Sequence, residues 1–157
     1  MKSKREFIGG PYVQMHFSGF WDHFLFDSEI ELISHQKMNE YIDRYNIGWI
    51  LVHSDRSKDY FHSMPGAAFI EENHGISIFR ITQPSSFFFD GYGRVIERDF
   101  NHLELDELQG KQVTLKYHHV EGLLATPPVE IQPVYIGNDP TPFIRLINPP
   151  VKVTLYR

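Results

Sequence analysis

The sequence predicts an α+β fold: a small α/β segment, residues 1–82, followed by an antiparallel β-sandwich, residues 83–157. Three observations carry that expectation. Met38, Tyr41, Ile42 and Tyr45 recur at i, i+3, i+4 and i+7, the spacing of one helical face. Trp49-Ile50-Leu51-Val52 is a short, unbroken run of strand formers. Beyond Gln83, short apolar runs alternate with Gly, Pro and Asn turn signals at roughly 8–12-residue spacing, the rhythm of a sandwich or open barrel.

Taken in order, the first 27 residues are aromatic and irregular, broken by Gly9-Gly10-Pro11, and show no clear period. A helix is expected from Ser34 to Tyr45. The Ser34 hydroxyl can accept a first-turn N–H, and Asn46 with Gly48 ends the helix. Trp49–Val52 is expected as a strand buried on both faces. Ser54 or Asp55 caps a short second helix through Tyr60, Phe61 and Met64, which must stop before Pro65-Gly66. Ala67–Glu71 and Ile76–Ile81 are expected as strands around the Asn73-His74-Gly75 turn.

In the second segment the expected strands are Ser86–Phe89, Arg94–Glu97, His102–Leu105, Val113–Tyr117, Val129–Ile136, Phe143–Ile147 and Val151–Tyr156. Asp90-Gly91-Tyr92-Gly93, Gln109-Gly110, Pro127-Pro128, Gly137–Pro140 and Asn148–Pro150 are the turns between them. Val113, Leu115 and Tyr117 share one face of their strand. Thr114, Lys116 and His118 share the other, which is expected to be wet. Tyr45, Trp49 and Phe79 are too apolar for a segment of roughly 50 residues to bury alone, so the two segments are expected to share one core and melt together.

Composition narrows the function. The chain has 157 residues, hydrophobic content of 41% and no cysteine, which leaves a packed core but no disulfide, thiolate zinc site or cysteine nucleophile. Fifteen Lys and Arg against 20 Asp and Glu give a net charge of −5, and no basic block stands out, so nucleic acid is disfavoured as a partner. No apolar run approaches the roughly 20 residues of a membrane-spanning helix, and Met1–Arg5 lacks the apolar stretch of a signal peptide. No nucleophile elbow, phosphate loop or dinucleotide fingerprint occurs, and nothing calls for a cofactor.

Four constellations are candidates for chemistry. Trp21-Asp22-His23 sets an aromatic platform beside a carboxylate and an imidazole, the combination that holds sugars by stacking and hydroxyl hydrogen bonds; its bland reading is a core Trp21 and a turn Asp22. Tyr92, between Gly91 and Gly93, is a second glycan-contact candidate, against an ordinary hairpin-turn tyrosine. Asp55, Asp59 and His62 fall on one face of the short helix, as acid/base or cation ligands or simply as a solvated face. His118, His119 and Glu121, near Gly110, resemble the cupin ligand set faintly. That set needs His-x-His, because adjacent residues of a strand point to opposite faces; with the other histidines dispersed, no tightly bound metal is expected in the chain, and His118, His119 and Glu121 are the fallback.

Longer stretches resemble a family. These are Phe7–Tyr12, Tyr45–Val52, Ser86–Gly91, Leu115–Leu123, Asp139–Ile144 and Asn148–Pro150, in order over nearly the whole chain. Together they look like the C-terminal extracytoplasmic domain of bacterial polytopic membrane proteins of the glycosyltransferase-like, YfhO-like kind. The resemblance implies a non-catalytic domain at the extracytoplasmic face of the bacterial membrane, partnered by the membrane-spanning part of a parent protein and scaffolding or touching glycan. It carries over no catalytic residue, since the catalytic carboxylates of such proteins lie in loops between early spans. A free carbohydrate-binding module and a cupin-like metal-dependent enzyme are the alternatives. The chain alone is expected to show no transferase or hydrolase turnover, because glycosidic chemistry needs two carboxyl groups held across a cleft.

Overall fold

The computed structural model describes residues 20–21, 24–25, 28–99 and 101–157. The chain forms two compact units: the chain to Asp43 with Ile47–Pro84, and Ser85–Arg157 with Arg44–Asn46. The architecture is α+β, with antiparallel sheets predominating.

Among the described residues the first unit opens on three two-residue strands, β1 (Phe20–Trp21), β2 (Phe24–Leu25) and β3 (Ser28–Glu29), paired antiparallel in order. Helix α1 spans His35–Arg44. The Ser34 hydroxyl accepts the Lys37 N–H at 3.2 Å, as the sequence predicts for its cap. At the other end Asn46 takes a left-handed φ of 51°, and the Ile47 N–H closes on the Ile42 carbonyl at 2.9 Å, the bond of a Schellman ending. Met38, Tyr41 and Ile42 are buried.

Strand β4 (Trp49–Val52), helix α2 (Asp55–Ser63) and the hairpin β5 (Ala67–Asn73) and β6 (Ile76–Ile81) complete the unit. Ser54 caps α2 by accepting the Ser57 N–H. His74 and Gly75, at φ 50° and 80°, make the hairpin turn. The sheet order is β4-β6-β5. Register pairs Ile50 with Phe79 and Val52 with Ser77, so Val52, Ser77, Phe79 and Ile81 are buried on one face, where the Phe61 ring of α2 lies 6.0 Å from Phe79.

The expectation that Trp49–Val52 is buried on both faces is wrong. Trp49 and Leu51 are 42% and 51% exposed. The cause is layering: Trp49 and Leu51 share their face with their register partners Arg80 and Ile78, while α2 packs on the opposite face against Phe79, and an antiparallel sheet needs only one packed face.

The second unit is one six-stranded antiparallel sheet built on β7 (Phe88–Asp99) and β8 (His102–His118). Strands β9 (Leu124–Thr126), β10 (Glu130–Val134), β11 (Phe143–Ile147) and β12 (Val153–Tyr156) follow. β7 runs along one edge of β8. The other edge is divided: β12 pairs with His102–Leu105, and β11 with Gln112–His118. Between these stretches β8 bends, with Glu107 at φ 56° and Gly110 at φ 129°, and the Leu108 N–H leaves the ladder for the Val151 carbonyl at 2.9 Å. The bend folds the sheet into a sandwich-like pair of leaves around one core of Leu103, Leu105, Leu108, Val113, Leu115, Ile144, Leu146, Val153 and Leu155.

Two expectations change here. Asp90–Gly93 and Gln109-Gly110 are bulges or bends inside continuous strands, not turns, so four expected strands become two. Glycine at a strand interior marks a bulge as often as a stop. The supposedly wet face is also dry at Thr114, which is fully buried. Its N–H and hydroxyl donate to the Asp90 carboxylate at 2.9 Å each, and its hydroxyl accepts from Arg145 Nε at 2.8 Å.

Candidate functional site

Two bulges in β7 shape the candidate site. Register slips on either side of Tyr92, because Gly91 sits at φ 73° and an added Cβ there would lie 2.7 Å from Val113 Cγ2. The glycine therefore lets β7 press against β8 and turns the next side chain outward. Tyr92 is 55% exposed. It lines an open groove of about 280 Å3 with Ser85, Ser86, Phe88 and Arg94, just below the range of small-ligand sites, about 300–1,000 Å3.

The groove's polar rim is ordered. Asn46 accepts from the Ser85 hydroxyl at 2.7 Å and the Ser86 N–H at 3.0 Å, which fixes the approach to β7. Arg94 donates to Glu107 at 3.0 Å, and that carboxylate pushes the guanidinium pKa further up. A tyrosine ring beside hydroxyls and a guanidinium can take a ligand with one apolar face and several hydroxyls.

A second polar cluster lies in the same unit. Asp139 has a side chain only 2% exposed. It accepts from the Tyr45 hydroxyl at 2.6 Å and the Thr141 N–H at 2.8 Å, and lies 3.1 Å from His118 Nε2. Burial first, and the Asp139 carboxylate second, push the Tyr45 pKa far above its ordinary value, so the phenol stays a neutral donor. Arg44 donates to Asn138 beside it at 2.9 Å. His118 also packs on Phe143, ring centroids 4.6 Å apart. This is a satisfied structural network with no nucleophile in it.

The other candidates resolve as follows. Trp21 lies in β1, while Asp22 and His23 fall outside the described residues. His118 turns toward Asp139, whereas the His119 N–H joins the Pro142 carbonyl at 2.7 Å, so the adjacent histidines serve separate contacts. Among the described residues, His118, His119 and Glu121 do not gather as ligands. Asp55 and Asp59 are exposed, and His62 packs against Phe69 and Phe79 at 4.9 and 5.0 Å, so that helix face forms no joint site. Asp139 gave no sequence signal beyond a turn. Its side-chain partners Tyr45 and His118 lie 94 and 21 residues away.

Among the described residues no helix is long and apolar enough to cross a membrane. No protein-family model, curated protein or solved structure matches the chain.

Proposed function

We propose that this chain is a non-catalytic binding domain that contacts glycan through the β7 groove at Tyr92. On the resemblance of its sequence, we place it at the extracytoplasmic face of a bacterial membrane, joined to the membrane-spanning part of a glycosyltransferase-like parent protein. The observation that carries the reading is the half-exposed Tyr92 ring, held out by two flanking glycines beside the Ser85 and Ser86 hydroxyls and Arg94. A ring of this kind stacks on the apolar face of a pyranose, and hydroxyls and a guanidinium meet its edge. The groove is open and small, which suits one or two sugar units of a longer chain and a weak, repeated contact.

The test is a glycan panel, including envelope polysaccharide fragments, titrated into the labelled protein by NMR. Shift changes should cluster on Ser86, Tyr92 and Arg94, and Tyr92→Ala should weaken binding by about tenfold, about 1.4 kcal/mol. Binding that ignores Tyr92→Ala, or no binding at millimolar glycan, would refute the groove. Turnover lost on substituting one Asp or Glu would replace the binding-domain reading with an enzyme.

A further inference from the structure

We infer that Glu97, His102 and Glu104 form a binding site for a divalent transition-metal ion of the zinc or manganese kind. The site is independent of the Tyr92 groove. Its geometry follows from register. His102 and Glu104 are two residues apart in β8 and so project from one face. Glu97 of β7 pairs directly with Glu104, and so faces the same way. One ligand atom from each of the three lies within 4.8 Å of the others. Metal–ligand bonds of about 2.0–2.2 Å need these atoms about 3–3.5 Å apart, so closure takes a movement of about 1–2 Å, within reach of glutamate side-chain rotation.

Charge points the same way. Two glutamates directly opposite each other across a strand pair repel. Lys152, whose Nζ lies 2.5 Å from Glu104 Oε1, offsets one of them. A dication bridging both carboxylates relieves the repulsion more fully and displaces that lysine. The imidazole distinguishes the set from an ordinary acidic patch: one nitrogen and two carboxylate donors favour Zn2+, Mn2+ or Fe2+ over the all-oxygen preference of Ca2+ and Mg2+. Three protein ligands on a sheet face leave positions open for water or an anionic ligand. The sequence carries this signal as His102-x-Glu104, the same-face spacing that His118-His119 lacks.

The test uses the full chain stripped with chelator. Zn2+ is titrated by calorimetry, and Mn2+ by its paramagnetic broadening of assigned NMR signals. One equivalent of Zn2+ should bind, and Mn2+ should broaden Glu97, His102 and Glu104 first, a readout that needs no variant. Glu97→Gln, His102→Ala and Glu104→Gln should each weaken Zn2+ at least tenfold with an unchanged circular dichroism spectrum. Lys152→Met should tighten it. His118→Asn with His119→Asn should leave it unchanged. The inference is overturned by no stoichiometric binding at millimolar metal or by loss of binding in the His118/His119 variant. It is equally overturned if affinity is indifferent to His102→Ala, which would mark a plain acidic patch.

Discussion

Replacing Asp139 tests how the second unit holds its polar interior. Asp139→Ala removes an acceptor that serves Tyr45, Thr141 and His118 at 2.6, 2.8 and 3.1 Å. A buried donor left without a partner costs about 1–3 kcal/mol. Tyr45 and Thr141 are only half-buried, which places each near 1 kcal/mol, and the more exposed His118 adds less. With the small void left behind, the loss should be about 2–4 kcal/mol. Asp139→Asn keeps one oxygen acceptor and the shape, while its amide can face the imidazole as a donor, so about 1 kcal/mol is expected. Urea denaturation followed by fluorescence measures both. A loss under about 0.5 kcal/mol for Asp139→Ala refutes the account of a needed acceptor. Equal losses for the two variants would show that the negative charge, rather than the hydrogen bonds, is what matters.

Other outcomes follow from single residues. Gly91→Ala puts a Cβ 2.7 Å from Val113 Cγ2 at a φ of 73°, so left-handed strain of about 1–2 kcal/mol adds to overpacking of about 1–3 kcal/mol, and the urea midpoint should fall accordingly. Leu105→Ala, at a fully buried position of the sandwich core, should cost about 2–5 kcal/mol in the same assay. Tyr60 has its pKa pushed from 10.0 up to about 12 by burial and then by the negative charge of Glu31. The folded state holds that proton more tightly than the unfolded chain, so the contribution is intact below about pH 10 and is lost as pH rises toward 12. Tyr60→Phe should flatten the stability profile in that window, and an unchanged slope would contradict the assignment.

The helices and the hairpin between residues 34 and 81 were legible because their signals are local, whereas the two-residue strands before them carried none. The stripe from Met38 to Tyr45, the Ser34 and Ser54 caps and the Asn73–Gly75 turn each act within a few residues, and the structure places the helices and the hairpin where they point. What escaped was nonlocal. The exposure of Trp49 and Leu51 depends on which face of the sheet the helix α2 covers, which the run itself does not reveal. Gly91, Gly93 and Gly110 read as turns because glycine permits both a reversal and a bulge, and only the partner strand decides. The short strand β9 offers three residues and no alternation. The buried Thr114 depends on Asp90 and Arg145, which arrive from two other strands. The same holds for the sites. Tyr92 was visible from its flanking glycines, whereas Asp139 and the Glu97, His102 and Glu104 set needed long-range register.

β8 contributes ladder bonds to both leaves of the sandwich, to β12 through His102–Leu105 and to β11 through Gln112–His118, so one continuous strand ties the leaves together. Its seventeen residues act as a spine. The β7–β8 pair closes across the short step from Asp99 to His102, so it forms with little loop entropy, while β11 and β12 must return from farther along the chain. Assembly is therefore expected to start from this hairpin and add the later strands to it. In native-state hydrogen exchange the amides of Leu105 and Val113 should open only with the whole unit, and those of β9 and β10, at the two ends of the strand order, should exchange first.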